Sequence, residues 1–114
     1  MCRYIVKGNS MKPAFIEGDR LLILPKIFCF FGFREEDMVV FREPGTGIES
    51  IKRIVGLPGK RMEIGKKKFV LQDNEFFVIG DNKNDSIDSR KFGAIKKEAI
   101  IGKILLKYLS AEKG

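Results

Sequence analysis

The chain reads as short apolar runs cut by Gly, Pro and Asn/Asp punctuation. "RYIVKG" alternates in part and then meets glycine. "GDRLLILP" is a Gly-Asp turn followed by an apolar run that proline closes, the pattern of a buried strand. "DMVVFREPGTG" is a strand ending in a Pro-Gly-x-Gly loop, and "IESIKRIVGLPGK" another ended by Gly-x-Pro-Gly. "KRMEIGKKKFVLQ" predicts a hairpin turning near Gly65. "NEFFVIGDN" runs into a Gly-Asp-Asn turn, and "AIIGKILLKYL" predicts a last strand. Roughly six to eight short strands follow. The expected fold is all-β, a folded-over or barrel-like antiparallel sheet with minimal helix. The one helix candidate is a short turn in "NSMKPAFIEG", which its proline and glycine confine.

At 114 residues the sequence predicts a single catalytic-size domain, 1–114, that buries a core without disulfides or metals. The net charge of +7 is compatible with an anionic partner, yet the basic residues are scattered. The densest run, Lys66-Lys67-Lys68, reads as a solvated turn, and no recognition helix or RNA module accompanies it, so no nucleic-acid partner is expected. Cys2 and Cys29 show neither metal-ligand spacing nor a disulfide framework. With no histidine in the chain, a zinc site would need an uncommon ligand set, so no metal and no cofactor are expected. No apolar stretch approaches the roughly 20 residues that span a bilayer.

"KIFCFFGF" departs from this pattern by packing Phe28, Phe30, Phe31 and Phe33 between Lys26 and Arg34. Two readings stand: a hairpin whose aromatics cover the core, or an exposed tip that dips into a membrane interface.

Three stretches hold polar residues that strands and turns alone do not require. "KGNSMKP" sets Ser10 between Gly-Asn and Met-x-Pro. Serine attacks poorly unless a base takes its proton, and the usual base, histidine, is missing. "IKRIVGLPG" carries Lys52 in a strand, where alternation puts Ile51 and Arg53 on one face and Lys52 with Ser50 and Ile54 on the other. A lysine acts as a general base when burial brings its pKa down from about 10.4. On these residues alone Lys52 either projects into solvent, as most lysines do, or is buried and serves as that base. "GDNKNDSIDSRKFG" is the third stretch, dense in side-chain donors and acceptors.

In order and spacing the three stretches resemble the boxes of the signal peptidase I family of serine–lysine proteases, over nearly the whole chain. The resemblance implies Ser10 as nucleophile and Lys52 as general base, with Ser86 orienting the lysine. It implies an Asp88–Arg90 support, a loop fixed through Asp81, and an oxyanion held by the Ser10 N–H with help from Gly8. It further implies a groove for an extended precursor peptide, lined by Tyr4, Val6, Met11, Phe15 and Ile51, that takes small residues before the cut. Position 8 is glycine where some members carry serine, and "REEDMVVF" has Glu-Asp where Gly-Asp is typical. The chain resembles a bare catalytic core without the anchor and large inserted β-domain of some members. The expected activity is removal of leader peptides through an acyl-enzyme. It would act at the outer face of the cytoplasmic membrane if an anchor or the aromatic tip is used, and in the cytoplasm otherwise. Two alternatives share the dyad: a soluble protease trimming a precursor such as nickel superoxide dismutase, and a self-cleaving repressor domain.

Overall fold

The computed structural model describes residues 2–29 and 32–111. Nine strands are formed among them: β1 (Cys2–Ile5), β2 (Arg20–Pro25), β3 (Met38–Arg42), β4 (Glu49–Gly56), β5 (Arg61–Ile64), β6 (Lys67–Val70), β7 (Glu75–Ile79), β8 (Ile95–Lys96) and β9 (Ile100–Leu109). Seven make one antiparallel sheet in the order β1-β2-β9-β3-β4-β7-β8, and β5-β6 form a separate hairpin turning at Gly65. The all-β expectation holds. Helix is confined to single turns, the α-turn α1 at Ser89–Phe92 and three 3₁₀ turns. The stretch "NSMKPAFIEG" makes a hydrogen-bonded turn, in which the Phe15 N–H donates to the Met11 carbonyl at 2.9 Å, and no helix, whereas α1 forms where Asp88 caps it by accepting from the Arg90 N–H.

The strand order poses a geometric problem. β2, β9 and β3 lie between β1 and β4, so a flat sheet at about 4.8 Å per strand would hold them roughly 19 Å apart. The sheet instead coils, helped by register shifts at Arg20/Leu21, Leu22/Ile23, Val40/Phe41 and Ile54/Gly56. Coiling divides the core in two. One cluster gathers Phe33, Val39, Phe41, Ile54, Phe76, Val78, Ile95 and Ile100. The other gathers Val6, Met11, Phe15, Leu21, Ile23, Val40 and Ile51 under the loop between β1 and β2.

Phe33 corrects an expectation. It is buried and meets the Phe76 ring edge-on at 5.8 Å, so it is a core residue and no part of an exposed tip. Phe28 is half exposed on the 3₁₀ turn after β2. Phe30 and Phe31 lie outside the described residues. No helix among the described residues is long and apolar enough to cross a membrane.

The β1–β2 loop is held by Asp19, which is fully buried. Its carboxylate accepts from the N–H of Ile16 at 2.9 Å, the N–H of Ala111 at 2.8 Å and Lys107 Nζ at 3.4 Å. One acid thus ties the loop before β2 to the end of β9. Burial alone would raise this carboxyl, but those donors outweigh it and hold the pKa below the usual value. The stabilisation is therefore complete above the unfolded aspartate pKa, about 3.9, and is lost as pH falls through the lower folded value. Asp19→Ala strands three donors and should lower the stability read from urea unfolding by about 2–4 kcal/mol at neutral pH. The deficit should shrink in acid.

Candidate active site

Ser10 and Lys52 meet across the coiled sheet. Lys52 projects from β4, opposite Val39 of β3, and is 4% exposed. Ser10, in the β1–β2 loop, is half-buried, and its Oγ lies 2.9 Å from Lys52 Nζ. Burial pushes the Lys52 amine below the ordinary lysine value, while the negative charges of Glu43 and Asp88 oppose that shift without cancelling it. A desolvated amine in contact with a hydroxyl can take its proton.

The third polar stretch braces this pair. Asp88 is fully buried and accepts from the Gly80 N–H at 3.0 Å, Ser86 Oγ at 2.9 Å and Arg90 Nε at 2.8 Å. Burial would raise its carboxyl, and these donors, Arg90 first, bring it below the usual range. Ser86 thus gives its proton to Asp88, and among the described residues no bond joins it to Lys52. It lines the same cavity as Ser10 and Lys52, with lone pairs left to accept. Asp81 pairs bidentately with Arg53 of β4, at 2.9 and 2.8 Å, which fastens the stretch to the strand that carries the lysine.

Tyr4, Val6, Met11 and Ile51 line one cavity of about 190 Å³ beside the pair, together with Ile48, Glu49 and Ser50. Phe15 lies beneath, packed in the core. Gly8 has φ +75°, a region that favours glycine, and its N–H donates to Glu17 Oε1 at 3.3 Å. The Ser10 N–H has no acceptor among the described residues.

The family model described as signal peptidase, peptidase S26, matches residues 1–75 and 65–109. The chain belongs to that family. A probable signal peptidase I-1 of Synechocystis is 28% identical over 142 positions, covering 97% of this chain and 72% of the relative. Signal peptidase I V of Bacillus subtilis is 31% identical, covering 89% of this chain and 82% of the relative. A crystal structure of an Enterococcus faecalis signal peptidase I shares the fold with a TM-score of 0.55 at 23% identity, covering 66% of this chain and 97% of that one. Membership makes the chain a serine peptidase of the signal peptidase type.

Two site residues escaped the sequence reading. Glu43 lines the cavity that holds Ser10, Lys52 and Ser86. Asn82 clamps the β1–β2 loop: its N–H donates to the Ser10 carbonyl at 2.8 Å and its side-chain amide to the Asn9 carbonyl at 3.0 Å. The Gly-Asp-Asn motif contains Asn82, but only the folded chain shows what it holds. Gly80 permits this approach, since a Cβ there would collide with the Ser86 hydroxyl and lie 2.7 Å from the Ser10 carbonyl oxygen.

Asn82→Ala should therefore lower kcat on the order of tenfold with little change in KM, because the loop carrying Ser10 loses one of its two ties to this residue. Gly80→Ala, which forces backbone apart, should cost roughly 10²-fold. Steady-state kinetics on a leader-peptide substrate reads both.

Proposed function

We propose that the protein cleaves leader peptides from precursor proteins by a Ser10–Lys52 dyad. The observation that carries this is the 2.9 Å contact between a half-buried serine and a desolvated lysine in a chain with no histidine. Neutral Lys52 takes the hydroxyl proton as Ser10 Oγ bonds to the scissile carbonyl carbon. The resulting oxyanion is met by the Ser10 N–H. Because the Gly8 N–H is engaged by Glu17, position 8 contributes only if that long hydrogen bond yields.

The tetrahedral intermediate collapses when the C–N bond breaks and Lys52 returns its proton to the leaving nitrogen. An acyl-enzyme on Ser10 remains. Lys52 then accepts a proton from water as the water oxygen attacks the ester, and the Ser10 hydroxyl is regenerated. Ser86, which lines the same cavity, accepts from the protonated lysine and holds it while it waits to donate. Asp88, Arg90, Asp81 and Arg53 keep Ser86 and Lys52 in register.

The substrate is an extended segment pairing beside β1, which lies at the edge of the sheet. At about 190 Å³ the cavity formed by Tyr4, Val6, Met11 and Ile51 is small enough to favour small side chains before the cut. Exposed Ile27 and Phe28, next to Lys26, support a peripheral contact with a membrane surface.

Cleavage of a peptide with an Ala-x-Ala leader junction, followed by mass spectrometry, tests this reading. Ser10→Ala and Lys52→Ala should each reduce kcat by more than about 10³-fold while leaving the fold intact. Retained cleavage in either variant would contradict the dyad. Stimulation by anionic vesicles is expected for the wild type and would be missing if the enzyme works away from membranes.

A further inference from the structure

A second cavity, of about 270 Å³, opens beside the dyad and is not used by the groove described above. Its lining includes Gly8, Glu43, Asp85 and Ser86, and it shares Lys7, Ser10 and Lys52 with the first cavity. The three shared residues form the boundary between the two. An extended peptide whose scissile bond lies over Ser10 must therefore leave through the second cavity if its leading part occupies the first.

Glu43 is a fixed feature of that exit. It stands at the base of the β3–β4 loop, where its N–H donates to the Ile48 carbonyl and its own carbonyl accepts from the Gly47 N–H, both at 2.9 Å. The Ser50 hydroxyl donates to Glu43 Oε2, which sets the carboxylate beside the strand face that carries Lys52. Oε1 has no donor among the described residues, and the side chain is half-buried. Oε1 is therefore open to the cavity and free to accept from a cationic donor that enters it. The charged groups around the cavity are Glu43 and Asp85 against Lys7, so with Lys52 neutral the exit is net negative.

Resting on the dyad reading, we infer that Glu43 makes the second cavity a subsite for a basic side chain immediately after the cut. The enzyme then selects precursors whose mature part begins with lysine or arginine. Glu43 is the specificity-determining residue, and Asp85, exposed on the 3₁₀ turn at Lys83–Asp85, adds long-range attraction. The same carboxylate receives the newly formed amine of the product, which gains a proton near neutral pH. A bound cation also offsets the negative charge that works against the burial-lowered pKa of Lys52, so the preferred substrate favours the neutral base.

Three peptides with one Ala-x-Ala junction, followed by Lys, Gln or Glu, test the inference at low ionic strength. The wild type should prefer Lys over Glu by about tenfold in kcat/KM, in keeping with a partly exposed charge pair. Glu43→Gln should abolish that ratio and Glu43→Lys should invert it. The same ranking should appear as binding, by fluorescence anisotropy, in the inactive Ser10→Ala protein, which separates recognition from chemistry. Equal cleavage and equal binding of the three peptides would overturn the subsite. Cleavage that survives Ser10→Ala would instead overturn the dyad on which it rests.

Discussion

Everything in this molecule is arranged around one desolvated amine. Lys52 is useful as a base only if it is neutral, and burial is what disfavours its charged form. That burial is unfavourable to folding. A lysine whose pKa is lower in the folded state than in the unfolded chain costs stability at every pH below the unfolded value, because the folded state binds fewer protons. The fold accepts the cost locally and recovers stability elsewhere, in the two apolar clusters and in the fully paired carboxylates Asp19 and Asp88. Among the described residues no buried side-chain nitrogen or oxygen is left without a hydrogen-bond partner.

The second constraint is geometric. Serine and lysine come from strand regions that the sheet order separates by three strands, and the coil of the sheet brings them together. The closure is then locked from two directions. Asp19 ties the loop bearing Ser10 to the end of β9, and Asn82 ties the same loop to the third polar stretch, which Asp81 and Arg53 fasten to β4. Ser10 and Lys52 are thus positioned by backbone-anchored polar contacts more than by each other. Glu43 adds a counterweight: its charge opposes the fall of the Lys52 amine, so the pKa of that amine reflects a balance of burial against nearby acids.

The strands were legible because their ends are punctuated. Gly18-Asp19 opens an apolar run, Pro44-Gly45, Pro58-Gly59 and Gly80-Asp81 each stop one, and chemistry of that kind is local. The pairing of Ser10 with Lys52 was legible through the family resemblance, since forty-two positions of separation carry no local signal. Phe33 was ambiguous because aromatic density says nothing about which face a ring takes; its edge-on partner Phe76 lies far along the chain. The α1 turn was missed because its Asp88 cap also serves Gly80, Ser86 and Arg90, contacts that exist only after folding. Glu43 was invisible for a similar reason: in sequence it is one more polar residue before a Pro-Gly turn, and only the closed β3–β4 loop sets it beside the lysine.

The most direct test is the titration of the Lys52 amine itself, followed by NMR with lysine labelled at Nζ and assigned by comparison with Lys52→Arg. The account predicts a midpoint below the ordinary lysine value of about 10.5, moving lower still in Glu43→Gln as the opposing charge is removed. A Lys52 amine that titrates with the surface lysines, or above them, would contradict the claim that burial makes it a base.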